Sequence, residues 1–210
     1  VSEGYTYKLI NPANSDDCIV FVEGEDAEAE KTANILAISL GNIKSLYDEK
    51  YDKGLFIKNI ILDNILPSDI YIKSKELHFS NEENRYVIVI RFQTVSELPP
   101  YEIIQSIVSE NEKDYVINIS EQDVVIVREV DDETEVESIE KSAKDIINTV
   151  AAEHNIKIAV GISSKVDNLK DLARAYKEAK ISLEVGKVFD IEKPVMSYEN
   201  LGIGRLIYQL

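Results

Sequence analysis

Two histidines, His78 and His154, and one cysteine, Cys18, are the only imidazole and thiol groups in the chain. An imidazole at neutral pH can act as a general base or a metal ligand. Neither histidine has a partner at the spacing of a metal motif. His154 falls at the end of a helical pattern, where a cation meets the negative end of the helix dipole. His78 falls in a connector, and both are assigned structural roles. Catalytic triads assemble in space, so spacing alone does not exclude one, but no G-x-S-x-G elbow supports it. Cys18 lies in an apolar run and reads as a small core residue. No phosphate loop of the G-x-x-x-x-G-K-[ST] type is present. Leu201-Gly-Ile-Gly-Arg205 has two glycines but not the third, and reads as a connector. The densest charge is the run Glu129–Glu140, with seven acids and no base. A calcium loop needs a turning glycine and a ligand rhythm, and this run has no glycine. It reads as a solvated loop that opens a helix, where negative charge is favourable. No catalytic residue, metal site or cofactor site is assigned.

The whole chain extends that picture. It has 210 residues, with 39 acids against 23 bases and a net charge of -16. A chain this acidic is a poor partner for phosphate backbones and for anionic lipid surfaces. With 44% hydrophobic and 30% charged residues it is globular. One cysteine excludes an internal disulfide and a cysteine-rich zinc site. No apolar run is long enough to cross a bilayer and no signal peptide is visible, so a cytoplasmic protein is expected. The chain starts at Val1 without Met and stops at Leu210 in an apolar stretch, which reads as a piece of a longer intracellular protein.

The elements that must position these residues follow from periodicity. Tyr5–Ile10 and Cys18–Val22 read as two strands around the turn cluster Asn11–Asp17. The second is compatible with a buried strand. Two strands alone are marginal in water, so residues 1–24 read as either a remnant of a missing domain or an addition to a sheet elsewhere. Residues 25–66 are helical in pattern. Ala33, Leu36, Leu40, Ile43 and Tyr47 make a coiled-coil-like stripe, with two readings: a face packed on its own domain, or a dimerisation helix joining sensor to output. Gly54 is expected to interrupt this segment and Pro67 to close it.

Residues 67–200 form the main domain, and 201–210 a connector. Tyr86–Phe92, Tyr115–Ile119, Val124–Val127 and Lys157–Ile162 read as strands. Pro99-Pro100 opens a helix, Val136–Val150 marks a long one, and Asp167 or Asn168 caps the next. That last helix carries Leu172, Tyr176, Ala179 and Leu183, and Pro194–Tyr198 is a short final strand. The order β-α-β-β-α-β, followed by α-β, is the ferredoxin-like arrangement of an α+β fold.

Lys157-Ile-Ala-Val-Gly-Ile162, followed by Leu172-Ala-Arg-Ala-Tyr-Lys-Glu-Ala-Lys180 and Leu183-Glu-Val-Gly-Lys187, resembles the GGDEF domain of diguanylate cyclases. The run from Val160 to Leu210 is similar to a degenerate subgroup, found in transcriptional regulators of the carbohydrate-diacid and purine-catabolism type. In those proteins a GGDEF-like domain precedes a helix-turn-helix. Phe56–Leu66 fits their helical lead-in. The N-terminal strand pair and helix resemble, more weakly, the end of a GAF or PAS sensor.

The resemblance also marks the departures. Active cyclases hold Mg²⁺ with carboxylates against a triphosphate, one of them on the first strand. Here that strand carries Arg91. The signature glycine-glycine-acid-acid-Phe turn corresponds to Ile119 with Ser120, Glu121, Gln122 and Asp123, and both glycines are gone. The resemblance therefore implies a non-enzymatic regulatory domain: a homodimer in which a small-molecule effector, a sugar diacid in one branch, acts through the sensor. DNA would be bound only by a segment beyond Leu210. The alternatives are a nucleotide-binding or cyclase-related enzyme, and an interaction module whose acidic face recruits a basic partner.

Overall fold

The computed structural model describes residues 4–10, 18–108, 113–188, 193–202 and 204, with the side chains of Tyr47 and Val188 left undescribed. The turn cluster Asn11–Asp17 and most of the connector after Leu201 lie outside the described residues. The chain divides into two compact units, Val1–Asp52 and Lys53–Leu210.

The first unit holds two strands and most of a long helix. β1 (Tyr5–Ile10) pairs antiparallel with β2 (Cys18–Glu23), placing Tyr7 opposite Phe21 and Leu9 opposite Ile19. Gly24 N–H donates to the Gly4 carbonyl at 2.7 Å, and both glycines adopt positive φ at the open end of the ladder. α1 (Ala27–Ile61) starts where the Asp26 carboxylate accepts from Ala29 N–H at 2.8 Å. Cys18, expected in a core, is exposed, as are Ile19 and Phe21. A short apolar run looks the same whether or not a layer covers it: Ile19 and Phe21 share a face that the described residues leave exposed, while Cys18 stands on the other face, opposite Ile10 at the end of the ladder.

α1 runs through Gly54 without a break. Glycine costs about 1 kcal/mol in a helix interior but does not forbid one. Nor does Pro67 end the helical region. It opens α2 (Pro67–Glu76) from the first turn, where its missing N–H is no loss.

In the second unit a five-stranded sheet runs β4-β5-β3-β6-β7. The strands are β3 (Asn84–Phe92), β4 (Asp114–Asn118), β5 (Asp123–Val130), β6 (Ile158–Ile162) and β7 (Val195–Ser197). All neighbours are antiparallel except β6 and β7. Placing β3 between β5 and β6 is the split βαβ topology, so the α+β ferredoxin-like expectation holds. β3 is central and buried on both faces, which is why Tyr86–Ile90 is continuously apolar.

Alternate residues of β3 feed two cores. Tyr86, Ile88, Ile90 and Phe92 pack with α3 (Pro100–Val108) and α4 (Val136–His154), through Ile103, Ile104, Ile139 and Val150. Val87 and Val89 pack on the other face with Phe56, Ile57 and Ile60 of α1 and with α5 (Leu172–Val188). Gly161 of β6 lets α5 approach: a Cβ there would stand 2.1 Å from the Ala179 carbonyl oxygen. Asn168 caps the 3₁₀ turn leading into α5 by accepting from Lys170 N–H at 3.1 Å. The acidic run Glu129–Glu140 is shared by the end of β5, a turn and the first turns of α4.

Candidate functional site

The β4–β5 hairpin ends in the turn Ile119–Gln122, and Ser120 organises it. Its hydroxyl accepts from the backbone N–H of Gln122 at 3.3 Å and of Asp123 at 3.0 Å. This is a local side-chain substitute for a glycine turn. Phe92 N–H donates to the Gln122 carbonyl at 2.9 Å, tying the turn to the end of β3.

That tie sets Arg91 directly opposite Asp123 in the ladder. The guanidinium grips the Asp123 carboxylate at two points, Nε to Oδ1 at 2.8 Å and Nη2 to Oδ2 at 2.9 Å. Nη1 reaches Glu184 Oε1 on α5 at 2.5 Å. One cation thus joins β3, the first residue of β5 and α5 in a forked geometry that a lysine could not match. The hydrogen bonds to Asp123, then those to Glu184, hold the Arg91 pKa above its ordinary value, against the opposing effect of burial. Tyr176 stands beside this cluster. Burial raises the pKa of its phenol, and the Asp123 charge adds to that, while Arg91 works the other way.

A cleft of about 730 Å³ opens next to Arg91 and Gln122, lined also by Lys157, Lys187, Lys193 and Met196. None of the three lysines is in an ion pair among the described residues. A cationic rim over an apolar wall suits an anion with an apolar body. A second cleft of about 420 Å³ lies on the other side of the turn, lined by Lys58, Pro99, Tyr101, Asn118, Ser120 and Glu121.

Of the turn residues named from sequence, Ser120, Gln122 and Asp123 come together with Arg91. Glu121 faces the smaller cleft. Glu184 was missed. It is 93 residues from Arg91, and its sole signal is a charged position beside the apolar stripe of α5. The helix stripe is a separate feature in the first unit. Leu36 and Leu40 are each 39% exposed and Ile43 is 61% exposed. Ala33 is fully buried within its own chain, so it is not open to a partner. The Tyr47 side chain lies outside the described residues. His78 is exposed after α2 with φ of 48°, and His154 closes α4. Among the described residues, no three or more His, Cys, Asp or Glu side chains are grouped to hold a metal ion. No helix among them is long and apolar enough to cross a membrane.

Comparison with known proteins adds three findings. The sequence model of the GGDEF-like domain matches residues 63–185. No curated protein matches. Among solved structures, the chain is similar to the GGDEF domain of DgcB from Caulobacter crescentus, determined in complex with c-di-GMP. The identity is 8%, over 62% of this chain and 82% of that one, with a TM-score of 0.45.

Proposed function

The chain belongs to the GGDEF-like domain family, and we propose that it is a non-catalytic regulatory and dimerisation part of a transcriptional regulator. The regulator class is the one that the sequence resembles, responding to a small-molecule effector such as a sugar diacid. α1 supplies the dimerisation stripe and relays the effector signal as a shift in helix pairing.

The observation that supports a non-catalytic role is the environment of Arg91. Metal-assisted phosphoryl transfer needs carboxylates free to bind Mg²⁺. At the end of β3 the chain places a cation, and that cation already engages Asp123 and Glu184. A divalent ion there would meet the positive charge of Arg91 and two carboxylates already engaged with it. The turn itself is held by Ser120 instead of by glycines, so its backbone carries a side chain where a nucleotide would approach.

Calorimetry with GTP and Mg²⁺, run beside an assay for a cyclic dinucleotide product, tests this reading. No product is expected. Product formation by the wild-type chain overturns it. A second reading, nucleotide binding without turnover, is favoured by one feature: the cleft with Lys157, Lys187 and Lys193 on its rim. Binding of GTP that weakens steeply with salt and survives without Mg²⁺ would select that reading.

A further inference from the structure

The central sheet of the second unit ends in two clefts of opposite character. At the Asn84 end of β3 the lining carries Glu82, Glu83, Asp131, Asp132, Asp167 and Asp171 against one base, Lys170. At the Arg91 end the cleft of about 730 Å³ carries Arg91, Lys157, Lys187 and Lys193 and, among the described residues, no acid. The chain holds 39 acids and 23 bases, so a cleft lined without acids runs against its composition. Arg91 is offset by Asp123 and Glu184, which leaves the three lysines to set the charge. Lys187 lies in the last turn of α5, where a cation is favoured in any case. Lys157 and Lys193 stand just before β6 and β7, outside any helix, and have no such reason to be there.

We infer that this cleft binds an aliphatic acid, with its carboxylate at the lysine rim and its alkyl chain along the wall. The inference goes beyond the regulatory reading and competes with the nucleotide reading for the same cleft. The wall decides between the two ligands. It is made by Ile147 and Ala151 of α4, Ala159 of β6, Leu183 and Gly186 of α5, and Met196 of β7. A nucleobase is held by stacking on a ring and by hydrogen bonds to its edges. The one ring in the lining is Phe92, which is 3% exposed and packed into the core. Gln93 and Gln122 are the only uncharged polar side chains there. An alkyl chain needs neither ring nor polar partner, and its burial is favourable in proportion to its length.

Met196 makes the wall adaptable. It is half-buried, and a Cβ on Gly186 would stand 3.1 Å from its Cγ, so the glycine lets it lie against the end of α5. An unbranched thioether re-packs readily around apolar groups of different shape. The volume also falls within the range of about 300–1,000 Å³ that small-molecule sites occupy.

Titration calorimetry on the full chain with hexanoate, octanoate and decanoate, each below its micellar concentration, tests this. Circular dichroism confirms that each variant folds. Saturable binding is expected, tightening about fourfold for each methylene buried and weakening as salt is added. Lys157→Gln with Lys193→Gln should weaken decanoate roughly tenfold. Phe21→Glu, on the exposed face of the β1–β2 hairpin, should leave it unchanged. If acetate and inorganic phosphate bind as tightly as decanoate, charge alone is at work and the inference falls. It falls also if decanoate does not bind, if the lysine pair proves neutral, or if Phe21→Glu abolishes binding. GTP binding more tightly than decanoate without Mg²⁺ hands the cleft to the nucleotide reading and overturns this one. None of these outcomes touches the regulatory reading, which the product assay above decides. An independent measurement uses Met196→Cys in a Cys18→Ser background. Its alkylation by iodoacetamide should slow as decanoate saturates the chain. An unchanged rate at saturation places the acid elsewhere and overturns the proposal.

Discussion

The β1–β2 ladder and the β3–β5 ladder are built from the same kinds of residue and end in opposite environments. Both are antiparallel, and both are rich in β-branched and aromatic side chains. In β3–β5 every second residue enters one core and the residues between enter another, because helices cover both faces. In β1–β2 one face is half-covered, with only Ile10 buried, and on the other Tyr7, Phe21, Leu9 and Ile19 are exposed. The difference comes from what the rest of the chain lays over the ladder. Strand composition says that a segment prefers a pleated, half-buried surface, and the covering layer decides whether that surface is filled.

The sharpest way to break this comparison is Gly161→Val. Its Cβ would meet the Ala179 carbonyl at 2.1 Å and Leu183 Cγ at 2.9 Å. Backbone cannot yield as a flexible side chain does, so β6 and α5 must separate. A loss of about 4 kcal/mol or failure to fold is expected, read from urea unfolding. Phe21→Ser in the open ladder, measured in monomer, should change unfolding of the second unit by under about 0.5 kcal/mol. A comparable loss from both would erase the contrast.

Ion pairs sharpen it next. Arg85 is 0% exposed, donating to Glu129 at 2.7 Å and to the carbonyls of Ser80 and Glu83, with Phe79 under its guanidinium. Arg85→Met strands these acceptors and should cost about 3 kcal/mol in the same measurement. The exposed Lys8–Glu30 pair of the first unit should cost under about 0.5 kcal/mol when Lys8→Met removes it. Arg91→Met falls between, at about 1 kcal/mol, because water reaches its pairs.

Tyr86 gives a pH test of the same buried ladder. Burial, with added repulsion from Glu199, Glu137 and Glu135, pushes its phenol up to about 12 from 10.0. Below pH 10 the phenol is neutral in both states and its contribution to stability is constant. Between pH 10 and about 12 the unfolded chain gives up this proton and the folded one keeps it. Stability is therefore lost as pH rises through that window, by about 3 kcal/mol at most. Tyr86→Phe should flatten the fall, checked by denaturant midpoints across the window. An unchanged slope would mean that Tyr86 is not the group responsible.

The sheet of the second unit was legible because its central strand stands among a regular succession of strand and helix signals: Tyr86–Ile90 is apolar without alternation, which fits a strand covered on both faces. The hairpin at 119–123, α4 and the Asn168 cap followed from equally local signals. α2 was not legible, since Pro67 serves equally as a stop or as a first helical residue. Exposure of Ile19 and Phe21 was not legible either, because it depends on whether another layer covers that face, which leaves no mark in the strand. At the candidate site the sequence showed Arg91 on a first strand that holds no acid. It did not show the grip on Asp123 and Glu184, since a contact across 93 residues is set by how α5 crosses the sheet.

Gly54 carries the smallest expected effect and tests a reading of the helix itself. Sequence punctuation marks it as a break, yet α1 passes through it and a Cβ there would meet nothing within 4 Å. Its cost is then only the extra freedom that glycine loses on becoming helical. Gly54→Ala should raise stability by about 0.5–1 kcal/mol, read as a higher denaturant midpoint with unchanged slope. A stabilised variant means that α1 is helical through this point in solution, and a destabilised one means that the helix needs glycine's freedom here.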